Sequence, residues 1–183
     1  MNVIHTGIDG VLILEPKVLG DSRGYFSECY NERDFDAAVG PVRFVQDNES
    51  LSCKGVLRGI HFQKPPFAQA KLVRVVEGCV MDVAVDLRRS SPTFGRWTAA
   101  ELSSDNHRQM FLPKGMGHAF LVLSDSALFQ YKCDEFYHPQ SEGSVAWNDP
   151  DLAIDWPVDP LSLKLSAKDA AAPLLRDLPL IFE

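Results

Sequence analysis

The amino-acid sequence predicts an all-β fold, either a closed barrel or a two-sheet jelly roll. Three observations carry this expectation. Apolar and β-branched runs of about four to eight residues recur along the chain, the length of strands rather than helices. Gly, Pro, Asn, Asp and Ser separate them in short turns, and many short strands at such spacing belong to sandwiches and barrels. Helix signals are confined to two stretches.

Strands are expected at 11–16, 24–30, 42–46, 55–63, 71–77, 80–87, 95–102, 109–112, 118–123, 128–133 and 143–147. The first is Val11-Leu12-Ile13-Leu14, stopped at Pro16, and the second follows Arg23. A helix is expected at 31–39, ended by Gly40-Pro41, before the chain resumes an extended course at Val42. Gly55 opens the strand that holds His61. The turn Glu77-Gly78 divides 71–77 from 80–87, and Ser90-Ser91-Pro92 precedes 95–102. Lys114-Gly115 and Ser124-Asp125-Ser126 mark the later turns. A second helix begins at Ser166 and runs through Lys168, Asp169 and the alanines before Pro173. Residues 148–165 are rich in Pro and Asp and read as a surface-hugging tail. Without internal repeats or low-complexity tracts, the expectation is one domain, 1–183, in which 148–183 form a C-terminal helical tail packed on the barrel.

Composition narrows the function. The 183 residues include 18 Lys and Arg against 25 Asp and Glu, a formal net charge of −7. Such a chain, lacking a basic block, does not neutralise a nucleic-acid backbone, although a few converging cations can still bind a small anion. No apolar run approaches the ~20 residues of a membrane span. The short apolar stretch at 11–14 is neither a secretory core nor a transit peptide, so a cytoplasmic location is expected. Cys29, Cys53, Cys79 and Cys133 are scattered without a C-x-x-C pair, which reads as buried thiols rather than a zinc site or disulfide framework.

Several residues could carry chemistry. On a strand of period two, His61 shares a face with Leu57, Gly59 and Gln63, while Arg58 falls on the other. For His61 and Arg58 to serve one site the strand must bulge, and Gly59 is the place for it. Taken on its strand alone, His61 reads as a satisfied core histidine. Lys71 alternates with Val73 and Val75, so it is either an edge gatekeeper or a buried functional cation. Tyr131 alternates with Phe129 and Cys133; it is a phenol with a hydrogen-bond partner or a proton donor. Asp169 stands three residues after Ser166 as in a helix capping box, which by itself accounts for it. Tyr137 and Trp147 read first as packing.

The segment Lys114-Gly115-Met116-Gly117-His118-Ala119-Phe120 delivers a histidine to the start of an apolar strand. It resembles the second motif of the cupin superfamily, whose first motif would lie on the strand of His61. Metal-binding cupins carry His-x-His there; this chain reads His61-Phe62-Gln63, so one imidazole has become an amide. Two histidines without further ligands fall short of a transition-metal shell, and neither metal nor other cofactor is expected.

In order, the chain presents Arg23-Gly24 before Phe26 and Glu28, then Phe44-Val45-Gln46-Asp47-Asn48, Gly55-Val56-Leu57-Arg58-Gly59-Ile60-His61 and Lys71-Leu72-Val73-Arg74. Gly117-His118-Ala119-Phe120, Tyr131-Lys132, Tyr137-His138-Pro139, Trp147-Asn148-Asp149-Pro150 and Ser166-Ala167-Lys168-Asp169 follow. This series resembles the dTDP-4-dehydrorhamnose 3,5-epimerase family of metal-free cupins, over nearly the whole chain.

The resemblance implies a cupin jelly-roll barrel with a few short peripheral helices. It also implies an isomerase acting at carbons 3 and 5 of a dTDP-4-keto-6-deoxyhexose by enolisation. It assigns His61 as base, Asp169 as its partner, Lys71 as the cation at the enolate oxygen and Tyr131 as the acid on the opposite face. By the same resemblance Arg23, Arg58 and Lys168 meet the anionic part of the substrate, His118 lies near the sugar, and Glu28, Gln46 and Asn48 contact polar groups. Phe26 and Glu142 occupy matched binding positions, and Tyr137 stacks on thymine. The resemblance further implies a homodimer exchanging N-terminal strands, with neither nucleic acid nor membrane as partner. Phe62 stands where the family commonly has tyrosine, and Gln130 where an apolar residue is usual. Two alternatives stay open: a family member inverting one centre only, and a cupin that binds a sugar nucleotide without catalysis.

Overall fold

The computed structural model describes residues 1–179, 181 and 182; Leu180 and Glu183, at the end of the expected C-terminal tail, lie outside the described residues. In chain order the strands are β1 (Asn2–His5), β2 (Leu12–Glu15), β3 (Val18–Asp21), β4 (Gly24–Ser27), β5 (Gln46–Cys53), β6 (Leu57–Gln63) and β7 (Lys71–Glu77). They continue as β8 (Cys79–Asp86), β9 (Trp97–Ser103), β10 (Gln109–Leu112), β11 (Met116–Val122), β12 (Ser126–Cys133) and β13 (Glu142–Ser144). Two α-helices, α1 (Glu32–Val39) and α2 (Ala167–Ala170), stand outside the strands.

Antiparallel pairing gathers these strands into a six-stranded sheet, β1-β2-β10-β7-β12-β5, and a five-stranded sheet, β13-β6-β11-β8-β9; β3 and β4 form a separate hairpin. The fold is the all-β cupin jelly roll. Between the sheets, alternation buries Val73, Val75, Val80, Leu102, Met110 and Phe129 in one cluster. The opposite face of the five-stranded sheet is covered by the C-terminal segment, where Leu152, Ile154, Trp156 and Leu175 pack on Ile60, Val83 and Val85. Helix α1 seals the outside of the six-stranded sheet by setting Phe35 against Leu12, Leu14, Leu72 and Phe111. Its N-cap is Asn31, whose side chain accepts from the Asp34 backbone N–H.

Some boundaries differ from expectation, for physical reasons. The strand expected at 42–46 begins only at Gln46 and runs on to Cys53. Val42 and Phe44 are apolar because they pack beside Phe35, not because they pair in a sheet. The run Gln46-Asp47-Asn48-Glu49-Ser50 looks like a polar loop, yet pairs residue for residue with β12. Strands β1 and β3 were not anticipated, since both are short, edge-placed and poor in buried side chains. The strand expected at 24–30 ends at Ser27, and that at 143–147 is Glu142–Ser144.

The anticipated bulge is present. Opposite β11, His118 pairs with His61 but Phe120 pairs with Arg58, so β6 carries one extra residue across this step. Gly59, at φ 130°, occupies it, and a Cβ there would stand 2.4 Å from the Ala119 Cβ.

Candidate active site

One open end of the barrel gathers polar side chains from both sheets. In the six-stranded sheet, the registers of β7, β12 and β5 set Lys71, Cys133 and Gln46 in one row and Val73, Tyr131 and Asn48 in the next. Across from them, His61 on β6 stands opposite His118 on β11 and Ser144 on β13. Below lies an aromatic floor: Phe120 and Phe129 stack with centroids 4.2 Å apart, and Tyr131 packs above Phe129 at 6.1 Å.

His61 Nε2 lies 2.5 Å from Asp169 Oδ1, a short contact between a partly accessible imidazole and a buried carboxylate. Ser166 caps α2 by accepting from the Asp169 N–H, and its hydroxyl donates to Asp169 Oδ2 at 2.7 Å. Capping and pairing with His61 are therefore one arrangement, because the cap fixes the carboxylate. Burial pushes His61 below the ordinary imidazole range; Asp169 opposes that, while Lys71 and Lys168 add to it. The imidazole is thus neutral near pH 7 and able to accept a proton.

Lys71 Nζ stands 5.7 Å from the centre of the Tyr131 ring. Desolvation pulls its ammonium below the ordinary lysine range, against the pull of the Asp82 and Glu142 carboxylates. Desolvation also raises Tyr131, with Arg58 opposing, so the phenol keeps its proton at neutral pH. Cys133, behind them, is pushed by burial up to about 11 and remains a thiol.

The mouth carries a second linked group. The Tyr137 hydroxyl donates to Glu142 Oε2 at 3.1 Å, and Lys168 pairs with the other Glu142 oxygen. Burial disfavours the Glu142 carboxylate, but Lys168 and the tyrosine hold its pKa below the ordinary value. Gln46 donates to Asn48 Oδ1 at 3.0 Å, and Arg58 Nε donates to Ser52 Oγ at 3.1 Å. Arg58 thus reaches Ser52 further along β5, and its charge still acts on Tyr131. His61, Lys71, Tyr131, Asp169, Gln46, Asn48, His118, Tyr137, Glu142 and Lys168 are brought to one end of the barrel.

Arg23, Phe26 and Glu28 are not. Arg23 pairs with Asp21 on the hairpin with its side chain 87% exposed. Phe26 is 65% exposed, and Glu28 accepts from Asn31. Phe26 and Glu28 line a shallow cleft of about 100 Å³ with Met1, Lys17 and Asp34, apart from the barrel mouth. Gln130 also points away from the site, holding Arg74 at 2.7 Å and Glu49 at 2.8 Å on the outer sheet face.

Two polar residues were missed by sequence reasoning. Asp82, fully buried, accepts from His118 Nε2 at 3.0 Å, and its Oδ1 has no partner among the described residues. A carboxylate alternating with Val80 and Ala84 was the available signal. Gln63, read as sharing a face with His61 and as a lost metal ligand, is 4% exposed, and its amide makes three hydrogen bonds to backbone. Among the described residues no three His, Cys, Asp or Glu side chains converge as a metal shell requires.

The family model described as dTDP-4-dehydrorhamnose 3,5-epimerase matches residues 5–177. The chain belongs to the dTDP-4-dehydrorhamnose 3,5-epimerase family. The Salmonella typhimurium member is 56% identical over 176 residues, 96% of each chain. A crystal structure of dTDP-6-deoxy-D-glucose-3,5-epimerase from Legionella pneumophila, in complex with dTDP-4-keto-L-rhamnose, shares 50% identity. It superimposes with a TM-score of 0.95 over 99% of this chain and 97% of that one. ChmJ of Streptomyces bikiniensis, a 3'-monoepimerase solved with dTDP-quinovose, shares 40% identity at a TM-score of 0.88, over 93% of this chain and 86% of its own. The proteins to which this chain is similar thus include enzymes described as 3,5-epimerases and one described as a 3'-monoepimerase.

Proposed function

We propose that this protein inverts carbons 3 and 5 of dTDP-4-dehydro-6-deoxy-D-glucose, giving dTDP-4-dehydro-L-rhamnose. The observation that carries the reading is a histidine paired with a buried carboxylate on one sheet and, on the other, a tyrosine with a lysine beside its ring. A proton next to a ketone is removable when the enolate oxygen meets a fixed positive charge in a dry site. His61 Nε2 gives its hydrogen to Asp169, which leaves Nδ1 as the basic nitrogen and stabilises the imidazolium formed. Lys71 holds the enolate oxygen, and Tyr131 returns a proton from the other face. One such cycle at each carbon inverts both. The phenolate left on Tyr131 recovers its proton from solvent or from the protonated base before the next cycle.

The anionic end of the substrate meets Arg58 and Lys168, with Tyr137 stacked on thymine and Glu142, Gln46, Asn48 and His118 contacting polar groups. Arg23, Phe26 and Glu28 act in trans: the hairpin of one subunit completes the barrel mouth of its partner in a homodimer. Support comes from that hairpin, whose Leu19, Tyr25 and Phe26 are all more than half exposed. In this reading the chain is one domain, 1–183, with 148–183 as its C-terminal tail. Four unpaired cysteines fit a reducing, cytoplasmic setting.

Proton NMR in deuterated water with dTDP-4-keto-6-deoxyglucose, against a no-enzyme control, tests the chemistry. Enzyme-dependent deuterium at carbons 3 and 5 is expected. Exchange at one carbon alone would identify a single-centre epimerase, the activity ascribed to ChmJ. Binding without exchange would leave a non-catalytic cupin.

A further inference from the structure

Gln63 occupies the sequence position where metal-binding cupins place a second histidine, and in this chain its amide does something an imidazole could not. It is 4% exposed at the end of β6. Its Nε2 donates to two backbone carbonyls, Phe67 at 2.7 Å and Phe136 at 3.1 Å, and its Oε1 accepts from the His138 N–H at 2.6 Å. Both donor hydrogens and an acceptor lone pair are used, all on backbone. A neutral imidazole offers one donor and one acceptor, and a carboxylate offers no donor.

Two of those contacts bracket Tyr137, one on the residue before it and one on the residue after. The Tyr137 N–H itself is held at 2.9 Å by Gln46 from the other sheet. Tyr137 is 52% exposed, so hydrogen bonds to its backbone, rather than burial of its ring, fix where the aromatic face stands. The loop is tied further by the Phe67 ring stacked on His138 at 3.6 Å, and by the Lys64 N–H on the Ser141 carbonyl at 2.7 Å.

We infer that Gln63 is a positioning residue for nucleotide binding: by fastening backbone on both sides of Tyr137 it presents that ring, and the Glu142 it bonds, to the nucleotide end of the substrate. The inference rests on the reading of Tyr137 as the base-stacking residue. Affinity depends on it and proton transfer does not, since Gln63 makes none of the hydrogen bonds of His61, Lys71 or Tyr131.

The test is steady-state kinetics and calorimetric binding of dTDP to the full chain, for wild type, Gln63→Leu, Gln63→Glu, Tyr137→Ala and the Gln63→Leu/Tyr137→Ala double variant. Gln63→Leu is expected to raise KM and the dTDP dissociation constant about tenfold with kcat within about twofold, the pattern of lost uniform binding. Gln63→Glu, which keeps shape and acceptor but loses both donors, is expected to behave alike. In the double variant the two losses should not add, because both act through one ring. Additive losses, an equal fall in kcat, unchanged dTDP affinity, or failure of both Gln63 variants to fold would each overturn the inference. If wild type itself does not bind dTDP, the nucleotide reading has failed, which is a separate and recognisable result.

Discussion

His61 stands between opposing influences, and the balance determines how the protein should respond to pH. Burial and two nearby lysines favour the neutral imidazole, whereas Asp169 favours the imidazolium. The first set prevails, so the acid limb of kcat/KM should lie below the ordinary histidine value of ~6.5. In Asp169→Asn the one influence favouring protonation is gone. The limb should therefore move further down while kcat falls about 100-fold, through loss of imidazolium stabilisation and of tautomer control. A pH–rate series on both proteins measures this, and a limb that rises in the variant contradicts it. At this scale the sequence was legible unevenly. His61, Lys71, Tyr131 and Asp169 each had a bland explanation in isolation, and only their order along the chain pointed to chemistry. Asp82 and Gln63 stayed hidden because their partners are a distant histidine and distant backbone, which no local pattern reveals.

Among the elements, β6 shows why one glycine governs the site. Period-two alternation separates Arg58 from His61, and the extra residue at Gly59 changes the phase between them. The position has φ 130°, and an added Cβ would meet the Ala119 Cβ at 2.4 Å and the His118 carbonyl oxygen at 2.6 Å. Neither neighbour is the far end of a flexible chain. Gly59→Ala is expected to cost about 2 kcal/mol or more, from left-handed strain and overpacking together. It should also depress kcat more than that loss of stability explains, because His61 and Arg58 are displaced. Urea unfolding beside single-turnover rates would show it, and a stable, fully active variant would refute it. The bulge was legible because it answered a stated conflict between two residues. Strand β5 was not, for the complementary reason. Of its inward residues, Gln46 and Asn48 sit beside the site, while Ser50 and Ser52 lie opposite the core residues Phe129 and Ala127, so amides and hydroxyls stand where a core strand would carry valines.

For the molecule as a whole, the question is how a chain of net charge −7 holds a diphosphate, and the answer turns on where its cations gather. Lys71 and Lys168 lie at the barrel mouth and Arg58 is bonded further along β5, but Arg23 lies on the exposed hairpin, outside the hydrogen bonds of its own barrel. If hairpins are exchanged, each active site combines the barrel of one subunit with the Arg23 of the other. A heterodimer of one Arg23→Ala chain and one His61→Ala chain then contains one site carrying both changes and one site carrying neither. Each variant alone should be nearly inactive. Unfolding and refolding an equal mixture makes about half the dimers mixed, each with one intact site of two, so about a quarter of wild-type activity should return. Activity that stays at the level of the separate variants would place Arg23 in the site of its own chain, and the exposed hairpin would then have to fold back onto its own barrel.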